Sequence, residues 1–365
     1  MEENYILGFS NAIGVGPKGF QNLLKVYGSA ELAWKEPLEE KYKSAGIGKI
    51  NYSKFVEFQK TFNISEYLEK LKKTKVEFIP YSAKFYPKKL ADIDSPPIGL
   101  YIKGNKNLLI ESNLLGIVGA RKTTTYGIEA TISLTNELSD SFVIVSGLAL
   151  GIDATAHKTT LENHGRTIAV LGCGVDCPYP RENENLYEEI LDYGGLIISE
   201  YPLGMKASAG TFPARNRVIA GISEAVLVTE AAVDSGSLIT ADYAIKQGKT
   251  VFAVPGPINS KMSDGTAKLL KNGAVLVTSA QDIFDNLNLK NQAPNSKQRL
   301  NPKLQNLKLS KEENKIVEVL NEEKSIDQIV RETKIPMHKL SIILSEMELK
   351  GIIKNSGGKI NLIFI

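Results

Sequence analysis

Seven short apolar runs recur between Leu114 and Thr278: LLGIVG (114–119), FVIVSG (142–147), TIAVLG (167–172), LIIS (196–199), AVLVTE (225–230), TVFAVPG (250–256) and AVLVT (274–278). Each is rich in Val and Ile, and helix-compatible segments of about ten to fifteen residues separate most of them. Continuous apolar strands that alternate with helices require a parallel sheet covered on both faces. The predicted fold class is therefore α/β, with a central Rossmann-like parallel sheet. Ligands of such sheets sit outside the carboxyl ends of the strands, so the residues just after each run are the candidate site.

Those residues share one chemistry. The first run leads into GARKTTTYG, which carries Arg121 and Lys122; the second ends in Ser146 and Gly147, with Asp153 and His157 opening the next helix. The third is followed by Tyr179-Pro-Arg181, and the fifth by Glu230 and then Ser235-Gly236-Ser237. Between the fourth and fifth runs lies FPARNRVIAG (212–221), which sets Phe212, Arg215, Asn216 and Arg217 at the start of an apolar, helix-compatible stretch. Arginine forks suit phosphate, an aromatic face suits a base, and helix N-termini favour anions because their first amides lack partners. Small residues, hydroxyls and arginines converging on one rim make a phosphate-binding surface.

Several chemistries are excluded or unsupported. A dinucleotide site needs G-x-G-x-x-G after the first strand, and Arg121 stands where close approach of a pyrophosphate needs the second Gly. The pattern G-x-x-x-x-G-K-[ST] is absent, which leaves ATP hydrolysis without support. Asp153 and His157 lie four apart on one helix face, as an acid–base pair would. Amide capping by Asp153 and packing of His157 are the better reading. Cys173 and Cys177 are too few for a disulfide scaffold or, without more ligands nearby, a zinc site, so reduced thiols and a cytoplasmic location are expected. MEENYILGF lacks the layout of a secretion signal, and no apolar run approaches the roughly 18 residues of a membrane span.

At 365 residues the chain is too long for one small core. The first hundred residues read as helical, with two echoes of a Gly-hydrophobic-Gly turn: Ile13-Gly-Val-Gly16 and Ala45-Gly-Ile-Gly48. Such turns either hold a nucleic-acid backbone or serve as packing units. The expected domains are a helical helix-hairpin-helix or SAM-like region over 1–95, the Rossmann-like domain over 96–288, a basic linker over 289–309 and a winged helix over 310–365. In the last, Ser310 and Ser325 are placed to cap two helices, Pro336 opens a third, and IIKNSGGKINLI reads as a hairpin. Its nine basic and nine acidic residues over 311–365 give no positive stripe, which leaves a protein contact at least as well supported as DNA. A net charge of only +3 permits a nucleic-acid partner without arguing for one.

The segments G-A-R-K-x-x-x-Y-G (119–127), SGLALGIDATAH (146–157), TIAVLGCGVDCPYPREN (167–183), SEYPLG (199–204), FPARNRVIAG (212–221), SGSLITADYA (235–244) and VFAVPGP (251–257) together closely resemble the DprA/Smf family of bacterial DNA-processing proteins. The resemblance implies a single-stranded-DNA-binding protein rather than an enzyme. It further implies help in loading the recombinase RecA during natural transformation, dimerisation through the Rossmann-like domain, and no cofactor. Carried onto this sequence, it makes Arg121, Arg181, Arg215 and Arg217 phosphate contacts and Phe212 a stacking platform. Ser146, Gly147, Ser235 and Gly236 become small donors around the strand, and Asn216 joins the site within FPARNR. Lys122, Lys158 and Lys206 are added from charge and placement near the rim. The rival reading is a nucleotide phosphoribohydrolase of the lysine-decarboxylase-like type, with Glu230 as its acid. Its P-G-G-x-G-T turn is only Pro255-Gly-Pro257 here.

Overall fold

All seven apolar runs become strands of one nine-stranded sheet. The strands are β1 (Glu77–Pro80), β2 (Gly99–Gly104), β3 (Leu114–Val118), β4 (Val143–Ser146), β5 (Thr167–Leu171), β6 (Leu196–Ser199), β7 (Ala225–Val228), β8 (Thr250–Ala253) and β9 (Val275–Leu276). Their order is β1-β2-β6-β5-β4-β3-β7-β8-β9. Pairings from β6 through β9 are parallel, whereas β1–β2 and β2–β6 are antiparallel. The computed structural model describes residues 2–287, 310–320, 324–350, 352–356 and 359–362; the expected linker over 289–309 lies outside them.

The period of two along each strand divides its side chains between two buried faces. Leu114 and Val118 of β3 join Val226 and Val228 of β7 in one core, while Leu115 and Ile117 join Ala225 and Leu227 in the other. The chain lays down β3 to β6 in one direction, then returns to the other flank of β3 for β7 to β9. That reversal opens a crevice at the carboxyl ends of β3 and β7.

The boundary expected at residues 95/96 does not divide the fold. β1 pairs with β2, so the sheet begins upstream of residue 96, and residues 1–291 form one unit. Leu7 and Leu71 of the helices Glu2–Asn11 and Ile64–Lys73 share a core with Tyr101 of β2 and Ile197 of β6. The Tyr101 hydroxyl also accepts from Asn11 Nδ2 at 2.8 Å. The helical region has its own aromatic core of Phe9, Phe20, Trp34, Tyr42 and Phe55. Its two glycine hairpins pack on each other: a Cβ on Gly14 would lie 2.5 Å from the Asn51 carbonyl oxygen, and Asn22 Nδ2 donates to the Ala45 carbonyl at 3.1 Å.

The second unit, residues 292–365, contains helices Lys311–Val319, Ile326–Thr333 and Met337–Leu349 with strands β10 (Lys324–Ser325), β11 (Ile353–Ser356) and β12 (Lys359–Leu362). Ser310 with Glu313 and Ser325 with Gln328 form the two capping boxes, which satisfy the first amides of each helix. Ile316, Leu320, Ile329, Leu340 and Met347 close its core. Three helices and a β10-β12-β11 sheet make the winged helix read from the sequence.

Candidate functional site

A cavity of about 740 Å³ opens at the reversal point, floored by the end of β3 and the segment after β7 (Ala232, Asp234–Ser237) and walled by the helix Thr211–Ile222. Pro213 fits the first turn of that helix, where its missing N–H would have had no partner. At the far end, Lys249 Nζ donates to the carbonyls of Ala220, Gly221 and Ser223 at 2.6, 2.7 and 2.7 Å, placing a cation on the negative terminus. Burial, with Lys89 nearby, pushes that ammonium down to about 8.

Phe212, half-buried at the helix start, is the centre of an aromatic group. The Arg121 guanidinium lies 5.1 Å from its ring centroid, and the Tyr179 ring lies 5.4 Å away at 37°. Gly172 gives the ring its seat, since a Cβ there would come within 3.0 Å of Phe212 Cδ1. Arg121 and Lys122 are exposed and line the cavity, as do Ser235 and Gly236. Ser235 Oγ shares a 2.7 Å hydrogen bond with Ser237 Oγ. Here the sequence-predicted residues do converge.

Elsewhere they do not. Arg217 turns away from the cavity and forms a two-pronged ion pair with Glu200, Nη1 to Oε1 at 2.8 Å and Nη2 to Oε2 at 2.6 Å. Its charge is spent on that carboxylate, and burial raises the Glu200 pKa against the opposing pull of Arg217. Arg215 lines the cavity but is only 4% exposed. Its Nη1 donates to the carbonyls of Gly147, at 2.7 Å, and Val170, and its Nε donates to Asn216 Oδ1 at 3.1 Å. It ties β4 to β5, and only Nη2 remains for a ligand. Asn216 in turn donates to the Gly236 carbonyl at 3.1 Å, bracing the far wall.

Ser146 is fully buried and donates to the Ile117 carbonyl at 2.6 Å; the Gly147 amide donates to Asp153 Oδ2 at 3.1 Å. Neither is a donor for a ligand, because each already donates to a partner within the fold. A Cβ on Gly147 would strike the Arg215 guanidinium at 2.5 Å, so glycine is there for packing. Lys158, Arg181 and Lys206 are exposed but do not line the cavity. Lys206 directly precedes the lining residues Ala207–Ala209, and Arg181 follows Tyr179 by two.

Asp153 stands near a helix start but does not cap it: its Oδ2 accepts from the upstream loop amides of Gly147 and Ala149, at 3.1 and 3.4 Å, and burial raises its pKa while Arg215 opposes the rise. His157 is fully buried and pushed down to about 3 by burial and then by Arg215. Thr167 Oγ1 donates to the Ile144 carbonyl at 2.7 Å, so it accepts from His157 Nδ1–H at 2.7 Å. His157 Nε2 is left without a partner. His157 does not line the cavity, and Asp153, which does, is committed to the amides of Gly147 and Ala149. Both cysteines are free thiols, and among the described residues no cluster of three or more His, Cys, Asp or Glu forms a metal site. Among the same residues no helix is long and apolar enough to cross a membrane.

Glu230 is likewise committed. Its Oε2 accepts from Thr124 N at 2.9 Å and its Oε1 from Thr124 Oγ1, at the start of the helix Thr125–Leu138. Sequence reasoning missed two site features, Tyr179 as the second ring and Glu200 as the partner of Arg217. Both sit inside segments already singled out, the CPYPREN turn and SEYPLG. The sequence there signals only that an aromatic and an acid are present, not which way they face.

The family model described as DNA recombination-mediator protein A matches residues 77–288, beginning at β1, and the DprA winged helix domain matches residues 301–359. Protein Smf of Synechocystis sp. is 39% identical over 290 residues, spanning 78% of this chain and 73% of the relative. DNA processing protein DprA of Bacillus subtilis is 43% identical over 213 residues, 58% of this chain and 71% of the relative. Among solved structures, DNA processing protein A of Streptococcus pneumoniae superposes with a TM-score of 0.67 at 36% identity, covering 78% of this chain and 96% of its own. The protein of that name from Helicobacter pylori, solved to describe its single-stranded DNA binding mode, gives 0.54 at 35% identity, covering 60% and 97%.

Proposed function

We propose the function from one premise: this chain belongs to the DprA/Smf family of DNA-processing proteins. On that premise it is a single-stranded-DNA-binding protein that protects incoming DNA and loads the RecA recombinase during natural transformation. It works in the cytoplasm as a homodimer through the Rossmann-like domain, and as a binder rather than an enzyme. The supporting observation is Arg121 against Phe212 in the crevice between β3 and β7, with the Tyr179 ring 5.4 Å from that of Phe212. An exposed cation–ring contact contributes about 0.5–1 kcal/mol, whereas base stacking contributes about 1–3 kcal/mol. A base therefore displaces the guanidinium from the ring, and Arg121, on an exposed loop, turns to the adjoining phosphate. Only a single strand has an unstacked base to offer. Glu230, the acid the phosphoribohydrolase reading requires, is only 2% exposed and is taken up by Thr124.

The experiment is fluorescence anisotropy with labelled single-stranded and duplex oligonucleotides over a range of salt, for the wild type, Arg121→Ala and Phe212→Ala. Phe212→Ala weakens single-strand binding roughly 5- to 150-fold, the equivalent of one stacked base, and duplex binding little. Arg121→Ala lowers the salt slope by about 0.7, one phosphate contact on a single strand. Equal losses of Phe212→Ala on both substrates would sink the stacking role.

A further inference from the structure

In doubly wound sheets the helix after the first parallel strand receives a nucleotide's diphosphate at its N-terminus. Here that helix is Thr125–Leu138, and the protein's own carboxylate already sits there. Glu230 accepts from both the amide and the hydroxyl of Thr124, while Thr124 Oγ1 accepts from Gly127 N at 3.2 Å. Gly127 creates the space, since a Cβ at that position would lie 2.4 Å from Glu230 Oε2. The backbone of Glu230 is tied in as well: its carbonyl accepts from Ala120 N at 2.8 Å. Both ends of the segment that bears Arg121 and Lys122 are therefore held by one residue.

We propose that Glu230 is a specificity-determining residue, a resident anion that keeps diphosphate groups off this helix end. The crevice then takes isolated phosphodiester units on Arg121 and Lys122 and rejects nucleoside di- and triphosphates. Like charges a few ångströms apart in a partly desolvated site repel strongly, and the carboxylate also fills the volume a phosphate needs. Free nucleotides are thus prevented from competing for a cavity whose fold would otherwise suit them. The biological meaning rests on the single-strand reading above; the exclusion is a property of this helix start alone, beside the cavity that Arg121 and Lys122 line.

The test uses the full chain as wild type, Glu230→Ala and Glu230→Gln. Thermal shift is measured with sodium pyrophosphate against sodium chloride at matched ionic strength, and ADP is titrated against a bound labelled oligonucleotide. The wild type melts at the same temperature in both salts. Glu230→Ala, which opens the site, gains a pyrophosphate-specific rise, and ADP displaces its oligonucleotide at a concentration at least tenfold lower than for the wild type. Glu230→Gln keeps the shape without the charge and moves about threefold, and it decides the matter alone if the alanine variant does not fold. Specific stabilisation of the wild type by pyrophosphate overturns the proposal, as do variants that respond like the wild type. A wild type that binds no single strand, beside a Glu230→Ala that gains pyrophosphate binding, removes the functional reading and leaves the exclusion standing.

Discussion

Replacing Arg217 by Ala separates two roles that the FPARNR sequence alone cannot distinguish. Arg217 and Glu200 are each 11% exposed at the side chain and meet through two parallel hydrogen bonds of 2.8 and 2.6 Å. Truncating one partner leaves the other charge buried and unpaired, a loss of about 3–5 kcal/mol. At roughly 2 °C per kcal/mol for a domain of this size, the melting temperature falls by about 6–10 °C. The salt slope of single-strand binding, measured on the folded fraction, stays that of the wild type, because no phosphate contact is removed. The double change Glu200→Leu with Arg217→Met removes both charges together and recovers most of the lost stability. Differential scanning calorimetry and salt-dependent anisotropy on the three proteins decide it. An Arg217→Ala protein that keeps its melting temperature but loses about one phosphate contact would refute the reasoning and return Arg217 to the DNA.

Two further outcomes follow from buried geometry. His157 stays neutral in the fold to about 3, whereas the unfolded chain protonates it near 6.5, so it favours the fold above 6.5 and that contribution is lost as pH falls through the interval. The loss reaches about 1.4 kcal/mol by pH 5.5, and denaturant titrations of His157→Gln should lack that part of the acid slope; parallel curves for the two proteins would show that His157 is not buried neutral. Gly127→Ala would ordinarily stabilise a helix interior by about 0.5–1 kcal/mol. With Glu230 Oε2 at 2.4 Å from the new Cβ it should instead destabilise by about 1–3 kcal/mol, and a raised melting temperature would place Glu230 elsewhere.

The sequence by itself determined the seven parallel strands and the capped helices of the winged helix. These features depend on period and on neighbours a few residues away, such as Ser310 with Glu313. The rim was legible too, because strand ends in a doubly wound sheet leave few places for a ligand. Asp153 was legible only as a residue that binds amides: those it takes belong to the upstream loop, Gly147 and Ala149, and not to the helix start. What only the tertiary structure decided is which polar groups are still free. Arg121 and Arg217 carry the same fork and the same charge, yet one lies exposed over Phe212 and the other is locked to Glu200, 17 positions away in sequence. Ser146, Gly147 and Arg215 were consumed by carbonyls and a carboxylate that the fold brings from β3, β5 and the helix Ile152–Glu162. Glu230 meets Thr124 across 106 positions. A side chain's chemistry is written in its type, but its availability depends on the partner that long-range packing sets beside it.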